Sequence, residues 1–269
     1  MIKIRTFFIF IFFSLTASAQ IGKIDTDRPD QTESVFTVPA GWLQGELGFA
    51  KERFGSSPYI HNSWTLPTLL TRYGISQKWE LRLLTEYNRW GNEHRFFKDT
   101  IGLLPVELGF KVNLVEENGI IPRISLIGQT GFNRLSSRLT NGHYGSFFSP
   151  GLSFTFQNSL SDKAALGYNI GVEWEDTQDE PATWFYTFAP GFELGEKWYA
   201  YIEVFGFFRK YESPEHILDG GIAYYINENN KVDASAGFRI TPSGPKNYVA
   251  LGFSFRFKVK KVTRKDTRD

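Results

Sequence analysis

Residues 79–87, WELRLLTEY, place Trp79, Leu81, Leu83, Thr85 and Tyr87 on one side of an extended chain, and Glu80, Arg82, Leu84 and Glu86 on the other. Successive side chains of a strand point to opposite faces, so a period of two with one apolar face specifies a strand. Residues 104–114 repeat the pattern: Leu104, Val106, Leu108, Phe110, Val112 and Leu114 oppose Pro105, Glu107, Gly109, Lys111 and Asn113. Twelve such stretches follow one another, at about 42–52, 64–75, 79–88, 103–114, 121–132, 147–157, 163–175, 183–194, 198–208, 216–226, 231–240 and 247–257. Pro67 and Pro122 mark bulges or strand ends, because proline has no N–H to give to a ladder. No stretch sustains a 3.6-residue period.

The connections alternate in length. Ser76–Lys78, Val115–Ile120, Asn158–Asp162, Gly195–Lys197 and Asn227–Asn230 are tight turns, whereas Arg89–Gly102 and Asn133–Ser146 are longer. Lys163, Lys197 and Lys231 each follow a tight turn, at a constant spacing. An even number of roughly ten-residue strands, with short turns at one end and longer loops at the other, predicts an all-β, closed antiparallel up-and-down transmembrane β-barrel of about 12 strands. A soluble sandwich would also alternate. Composition separates the two: the chain is 17% aromatic yet polar on average, with mean hydropathy −0.28. Its aromatics cluster at the ends of the apolar face. Trp42, Tyr73, Trp79, Trp198 and Phe257 lie toward the turns, and Tyr87, Trp174, Tyr186 and Phe208 toward the loops. Two aromatic belts around an aliphatic band suit the two interfaces of a bilayer.

The chain opens with Lys3 and Arg5, an apolar run from Phe7 to Leu15, and Ala17-Ser18-Ala19. This three-part pattern predicts a signal peptide over residues 1–19, cleaved before Gln20. The run is shorter than the ~20 residues a spanning helix needs. Without Lys3 and Arg5, 28 basic residues face 29 acidic ones, a balance that gives no reason to expect nucleic acid. No cysteine is present, so neither a disulfide framework nor a lipid-modified cysteine is expected. The organisation expected is a signal at 1–19, an N-terminal periplasmic segment at 20–40, a barrel at 41–257 and a basic periplasmic tail at 258–269, in the outer membrane of a Gram-negative bacterium.

If the apolar face meets lipid, the other face lines a lumen. By parity that lining includes Glu46, Arg72, Glu80, Arg82, Glu86, Glu107, Lys111, Arg123, Glu173, Glu175, Glu193, Glu203, Asp219, Asp233, Arg239 and Arg256. So many ionised groups stay charged only if paired or wet. Pairing 216–226 with 231–240 across Asn227–Asn230 is expected to set Asp219 opposite Arg239, and barrel closure to bring Arg256 near Glu46. Tyr199, Tyr201, Phe205 and Phe207 also point inward, either as a slide for an apolar solute or as wall packing against the N-terminal segment.

TDRPDQTES (26–34) is too polar, and with Pro29 too poor in donors, to be an interior strand. Together with VPAGWLQGELGF (38–49) and LPTLLTRYGISQKWELRL (66–83), it resembles the bacterial family described as the putative MetA-pathway of phenol degradation. The resemblance spans Ile24 to Phe257. Thr26, Asp27, Arg28 and Pro29 match the family's N-terminal signature; Gly41, Gln44 and Glu46 match its first strand; Arg72, Tyr73 and Gly74 match its second. It implies an outer-membrane barrel labelled a transporter. One departure is at the C-terminus, where FSFRF (253–257) is followed by KVKKVTRKDTRD, making Phe257 the aromatic offered to the barrel assembly machinery. With an even strand count the N-terminus lies on the turn side, so Asp27, Arg28 and Pro29 belong to a cap beneath the mouth or an inward plug, with Asp27 and Arg28 paired to lumen charges; a loose, inert extension is the remaining alternative.

The function expected is a narrow channel or transporter for small solutes, apolar or aromatic ones included. A non-conducting binding, adhesion or structural barrel is the alternative, and a barrel lipid hydrolase a remote one. The hydrolase would rest on His61 and Ser63, two apart on one strand face, but no orienting acid accompanies them. His94, His143 and His216 have no ligand spacing, and Asp25, Asp27 and Asp30 lack the glycine and distal glutamate of a calcium loop. No catalytic residue, metal or other cofactor is therefore expected. The partners expected are outer-membrane lipid, the assembly machinery and a small solute.

Overall fold

The structure, a computed structural model, describes residues 22–56, 59–92, 99–132, 148–174, 182–241 and 245–259. The expected signal peptide, most of the basic tail, His94, His143 and Glu175 lie outside the described residues. Among those described, the strands are β1 (Trp42–Ser56), β2 (Tyr59–Gly74), β3 (Trp79–Asn92), β4 (Thr100–Leu103), β5 (Val106–Val115), β6 (Arg123–Phe132), β7 (Phe148–Ser161), β8 (Ala164–Glu173), β9 (Thr183–Leu194), β10 (Trp198–Phe208), β11 (Glu215–Asn227), β12 (Asn230–Arg239) and β13 (Pro245–Lys258).

Every pairing is antiparallel, and β1 joins both β2 and β13, so the sheet closes on itself. The result is a twelve-stranded barrel with one short extra strand. That strand, β4, pairs with Tyr87–Trp90 of β3, while β5 pairs with Trp79–Leu84 on the same edge. The single strand expected at 103–114 is thus broken at Leu104-Pro105, where proline cannot donate to β3. Pro67 has the same effect on β2, whose register against β3 shifts between Thr65 and Thr68. The first hairpin also runs further than the alternation suggests, through Glu52↔Ser63 to Ser56↔Tyr59. His61–Ser63 therefore lie inside a paired strand and not at a loop end.

The two faces of this sheet invert the usual distribution of polarity. Outward-facing Leu81, Ile170, Ile202, Val249 and Leu251 are among the most exposed side chains, with Ile202 at 59% and Leu251 at 62%. A continuous apolar exterior of this kind is stable against lipid tails and not against water. Tyr73, Trp79, Trp198 and Phe257 rim it on the turn side, and Tyr87, Trp174 and Phe208 on the loop side. Among the largest fully buried side chains are instead Arg72, Lys111, Glu46, Glu80 and Glu203, all facing inward.

Residues 22–41 form no strand and run inside the barrel. Ile24, Val35 and Val38 of this segment are each no more than 2% exposed. The segment starts on the turn side, where the Ile24 N–H donates to the Glu228 carbonyl and Arg256 donates to the Gly22 carbonyl. It climbs beside β12, β13 and β1, turns at Asp30–Thr32 against β9 and β10, and returns along β3, β5 and β6. At Gly41, with φ of 77°, the chain swings into β1. Of the dispositions expected for TDRPDQTES, this is the inward one.

Candidate functional site

The site is the lumen and the segment within it. Asp27 is the centre of its charge network. One carboxylate oxygen meets Arg82 at 2.6 Å, and the other meets Lys111 at 3.0 Å and Arg72 at 3.4 Å. The same oxygen accepts the Ser34 N–H at 2.9 Å, and the Asp27 N–H donates to Glu46 at 3.0 Å. Arg72 in turn forks onto Glu80 at 2.9 and 3.0 Å, reaches Glu46 at 3.0 Å, and donates to the Phe36 carbonyl at 2.8 Å. Arg82 also pairs with Glu33 and Glu80.

Side chains of β1, β2, β3 and β5 thus replace the hydrogen bonds that a strandless backbone lacks, down to Val38, whose N–H donates to Glu80 at 2.7 Å. Lys111 donates to the Ser34 carbonyl and Ser125 to the Val35 carbonyl. Burial alone would push the Asp27 carboxyl up, but Arg72, Lys111 and Arg82 together hold it far below the usual carboxylate range. Removing one partner of a buried pair typically costs about 3–5 kcal/mol, because a charge is left uncompensated.

A second set of contacts comes from β12 and β13. Arg28 reaches Asp233 at 3.2 Å and the Leu251 carbonyl at 3.1 Å. Gly48 and Gly252 make room for its guanidinium, which a Cβ at either position would strike. Lys231 donates to Thr26 and to the Arg28 carbonyl.

The third set, on β8 to β10, is different in kind. Thr32 donates to Glu203 at 2.6 Å and lies 2.7 Å from the Thr187 hydroxyl, and the Gln31 N–H donates to Glu203 at 2.7 Å. Asn169, with its amide turned to suit both neighbours, accepts the Glu33 N–H at 2.7 Å. Among the described residues no ion pair joins the segment to Glu203, Thr187 or Asn169. Neutral hydrogen bonds are worth about 1 kcal/mol each, and those to a charged group about 1.5–3 kcal/mol.

Cavities lie on both sides of the segment. On the loop side, one of about 540 Å³ is lined by Pro29, Glu46, Glu52, Glu86, Glu215 and Arg209 among others. An adjoining one of about 310 Å³ runs past Ile127, Ser153, Phe185 and Thr187. Both share Gln31, Glu33, Phe205 and Phe207. Glu107 and Glu173 border a third, of about 280 Å³, with Glu86. On the turn side a cavity of about 290 Å³ is lined by Asp30, Thr32, Gly167, Ala189, Tyr199 and Lys231 among others.

The inward positions expected from parity are distributed unevenly over this architecture. Glu46, Arg72, Glu80, Arg82 and Lys111 converge on Asp27, and Arg28 binds nearby. Glu86, Glu107 and Glu173 line the loop-side space. Arg123 stands at the rim, paired with Glu116 and placed over the Phe36 ring at 4.7 Å. Tyr201 donates to Asp219 at 3.3 Å, Tyr248 donates to the same oxygen, and Phe205 packs with Ile217 and Tyr248. Tyr199 borders the turn-side cavity.

Two expected pairs are corrected. Asp219 lies opposite Gly237, and Arg239 opposite Ile217: pairing from Asn227↔Asn230 would set Asp219 against Phe238, and the ladder slips one residue further between Tyr225 and Asn227. Arg256 lies opposite Gln44, and it bonds Asn229, Glu228 and Gly22 while Glu46 is taken by Arg72. Ser63 points inward and donates to Asn88 at 3.0 Å, and His61 stacks on Phe54. Sequence reasoning did not count Lys231, Gln44 and Tyr248 among the inward residues. Each shares strand parity with a residue it did name (Asp233, Glu46 and Arg256), so the signal was present.

The sequence profile of the family described as "Putative MetA-pathway of phenol degradation" matches residues 26–257. The chain belongs to this family. Asp27, Arg28, Glu46 and Arg72, all within the matched span, are among the residues that hold the segment in the lumen. No curated protein matches the chain in sequence. Among solved structures, an outer membrane channel from Pseudomonas putida F1 is 11% identical, with a TM-score of 0.66 over 83% of this chain and 98% of that one. The β domain of the Bordetella autotransporter Brka is 12% identical, with a TM-score of 0.51 over 80% of this chain and 99% of that one. At such identities the likeness establishes the fold, that of outer-membrane barrels.

Proposed function

We propose that the protein is an outer-membrane channel for small solutes, and that its own N-terminal segment closes it in this conformation. The observation behind this reading is a charged inner wall enclosing cavities of about 540 and 290 Å³, with one stretch of chain between them. A barrel serving only as a scaffold has no need to keep ionised side chains and open space along its axis. Family membership and likeness to a barrel solved as a channel agree with it.

The loop-side cavities carry Glu52, Glu86, Glu107, Glu173 and Glu215 against Arg209, while Glu33, Glu46, Arg28, Arg72, Arg82 and Lys111 are committed to the ion pairs that hold the segment. Cations and neutral solutes are thereby favoured over anions. Phe185, Phe205 and Phe207 add an apolar flank suited to aromatic or other apolar solutes. The tight turns and both termini face the periplasm, after export on a cleaved signal peptide in a Gram-negative cell. Ser63, bonded to Asn88 inside the barrel, supports a channel over a hydrolase.

Single-channel recording in planar bilayers tests this reading, with heat-shifted gel mobility as the check on folding. Deleting residues 24–34 should raise conductance several-fold over the intact protein, with reversal potentials biased toward cations. Folded protein that passes no current in either form overturns it.

A further inference from the structure

The turn-side cavity of about 290 Å³ and the loop-side cavity of about 310 Å³ meet the same two strands at successive levels. On β9, Thr187 lines the loop-side cavity and Ala189, the next inward residue, lines the turn-side cavity. On β10, Phe205 faces the first space and Tyr199 the second, with Tyr201 and Glu203 between them. The partition at this level is a single turn of chain. Gln31 faces the loop-side cavity, Thr32 faces the turn-side cavity, and Glu33 borders both.

Thr32 fills the remaining gap. Its methyl group sits where a Cβ on Gly167 would come within 2.9 Å, and its hydroxyl is shared between Thr187 and Glu203. Elsewhere the segment is held by ion pairs, to Arg72, Arg82 and Lys111 on one flank and Asp233 on another. Here it is held by hydrogen bonds from hydroxyl and amide groups to Glu203, Thr187 and Asn169, with no ion pair among the described residues.

We infer that this turn is the gate of the channel: solute crosses between Thr32 and the β8–β10 wall when the bonds from Thr32 to Thr187 and Glu203 open, while the ion-paired flank of the segment stays in place. The inference rests on the channel reading and names its moving part. A gate of this kind needs the displacement of about three residues, Gln31 to Glu33, and leaves the buried charge network intact. Expulsion of the whole segment would instead strand Arg72, Arg82 and Lys111 among unmatched charges. With Gly167, Ala189 and Thr187 as the opposing wall, the opened passage is narrow and uncharged on one side, which suits small uncharged solutes.

The protein has no cysteine, so a designed disulfide reports without interference. Replacing Thr32→Cys and Thr187→Cys puts two thiols where hydroxyls now lie 2.7 Å apart. Potassium current in bilayers and swelling of arabinose-loaded liposomes are read before and after reduction. The oxidised form should be silent, and reduction should raise flux at least fivefold. A control pair on the anchored flank, Val35→Cys with Ser125→Cys, should conduct equally in both states. The single variant Thr32→Gly should raise flux several-fold with unchanged heat-shifted mobility. Flux through the oxidised Thr32–Thr187 pair equal to that of its reduced form overturns the gate alone. So does equal suppression by both crosslinks, which would mean that the whole segment must move. Silence of every folded variant, reduced or oxidised, removes the channel reading and the gate with it.

Discussion

The two flanks of the N-terminal segment lie in the same lumen and are held by different physics. Toward β1–β5, Asp27 and Glu33 enter a lattice with Arg72, Arg82, Lys111, Glu46 and Glu80, where every buried charge has a partner of opposite sign. Toward β8–β10, the hydroxyl and backbone groups of Gln31, Thr32 and Glu33 meet Glu203, Thr187 and Asn169 through hydrogen bonds only. A closed barrel constrains the wall equally on all sides, so this asymmetry belongs to the side chains. Strong, long-range attachment on one flank and short hydrogen bonds on the other describe a tethered segment with a movable edge. Single substitutions on the two flanks should therefore differ in both size and reach.

The largest effect is expected on the charged flank. Arg72→Gln removes the partner of Asp27, Glu46 and Glu80 at once and should cost about 3–5 kcal/mol of segment binding. Amide exchange at residues 24–38 should accelerate roughly 100-fold or more on that basis, with heat-shifted mobility retained because the ladder is untouched. Exchange confined to Gln31–Glu33 in this variant would break the comparison. A smaller and local effect is expected across the lumen. Thr32→Val keeps the shape but drops the hydroxyl, for about 1–2 kcal/mol. Exchange should then rise only about tenfold, and only around the turn.

A third effect is a dependence on pH that distinguishes the flanks by sign. Asp30 borders the turn-side cavity and is surrounded by the barrel wall. Burial pushes its carboxyl up to about 8 from the usual 3.8; Asp219 and Asp25 push the same way, and Lys231 opposes them. A carboxyl raised on insertion favours the inserted state in its protonated form. The stabilisation is fully present below about pH 4 and is lost as pH rises through about 8. Asp27, held below the usual range, works in reverse and releases only in strong acid. Protease accessibility of the turn should thus increase between about pH 5 and 8, and Asp30→Asn should flatten that rise. A rise that survives Asp30→Asn would assign the titration elsewhere.

Much of the wall was legible in the chain. Strands at 183–194 and 198–208 coincide with their alternation to the residue, since each inward or outward choice is made locally, two residues at a time. The break at Leu104-Pro105 shows where local reading falls short: Pro105 was counted among alternating residues although its missing N–H was in plain view. The candidate site was legible only as a set of inward residues. That Lys231 and Tyr248 belong to that set follows from the same parity as Asp233 and Arg256. That Asp219 lies opposite Gly237 does not, because the slip between Tyr225 and Asn227 shifts every pair beyond it.

Sequence alone determined the strands, their two faces, the closure of the first strand on the last, and a polar segment too poor in ladder groups to join the wall. Tertiary structure decided that this segment enters the lumen, that Asp27 gathers Arg72, Arg82 and Lys111 from β2, β3 and β5, and that Thr32 touches the opposite wall. Alternation is a property of neighbours along a chain, whereas contacts across a lumen depend on the stagger of twelve strands around a closed ring, which no single strand encodes.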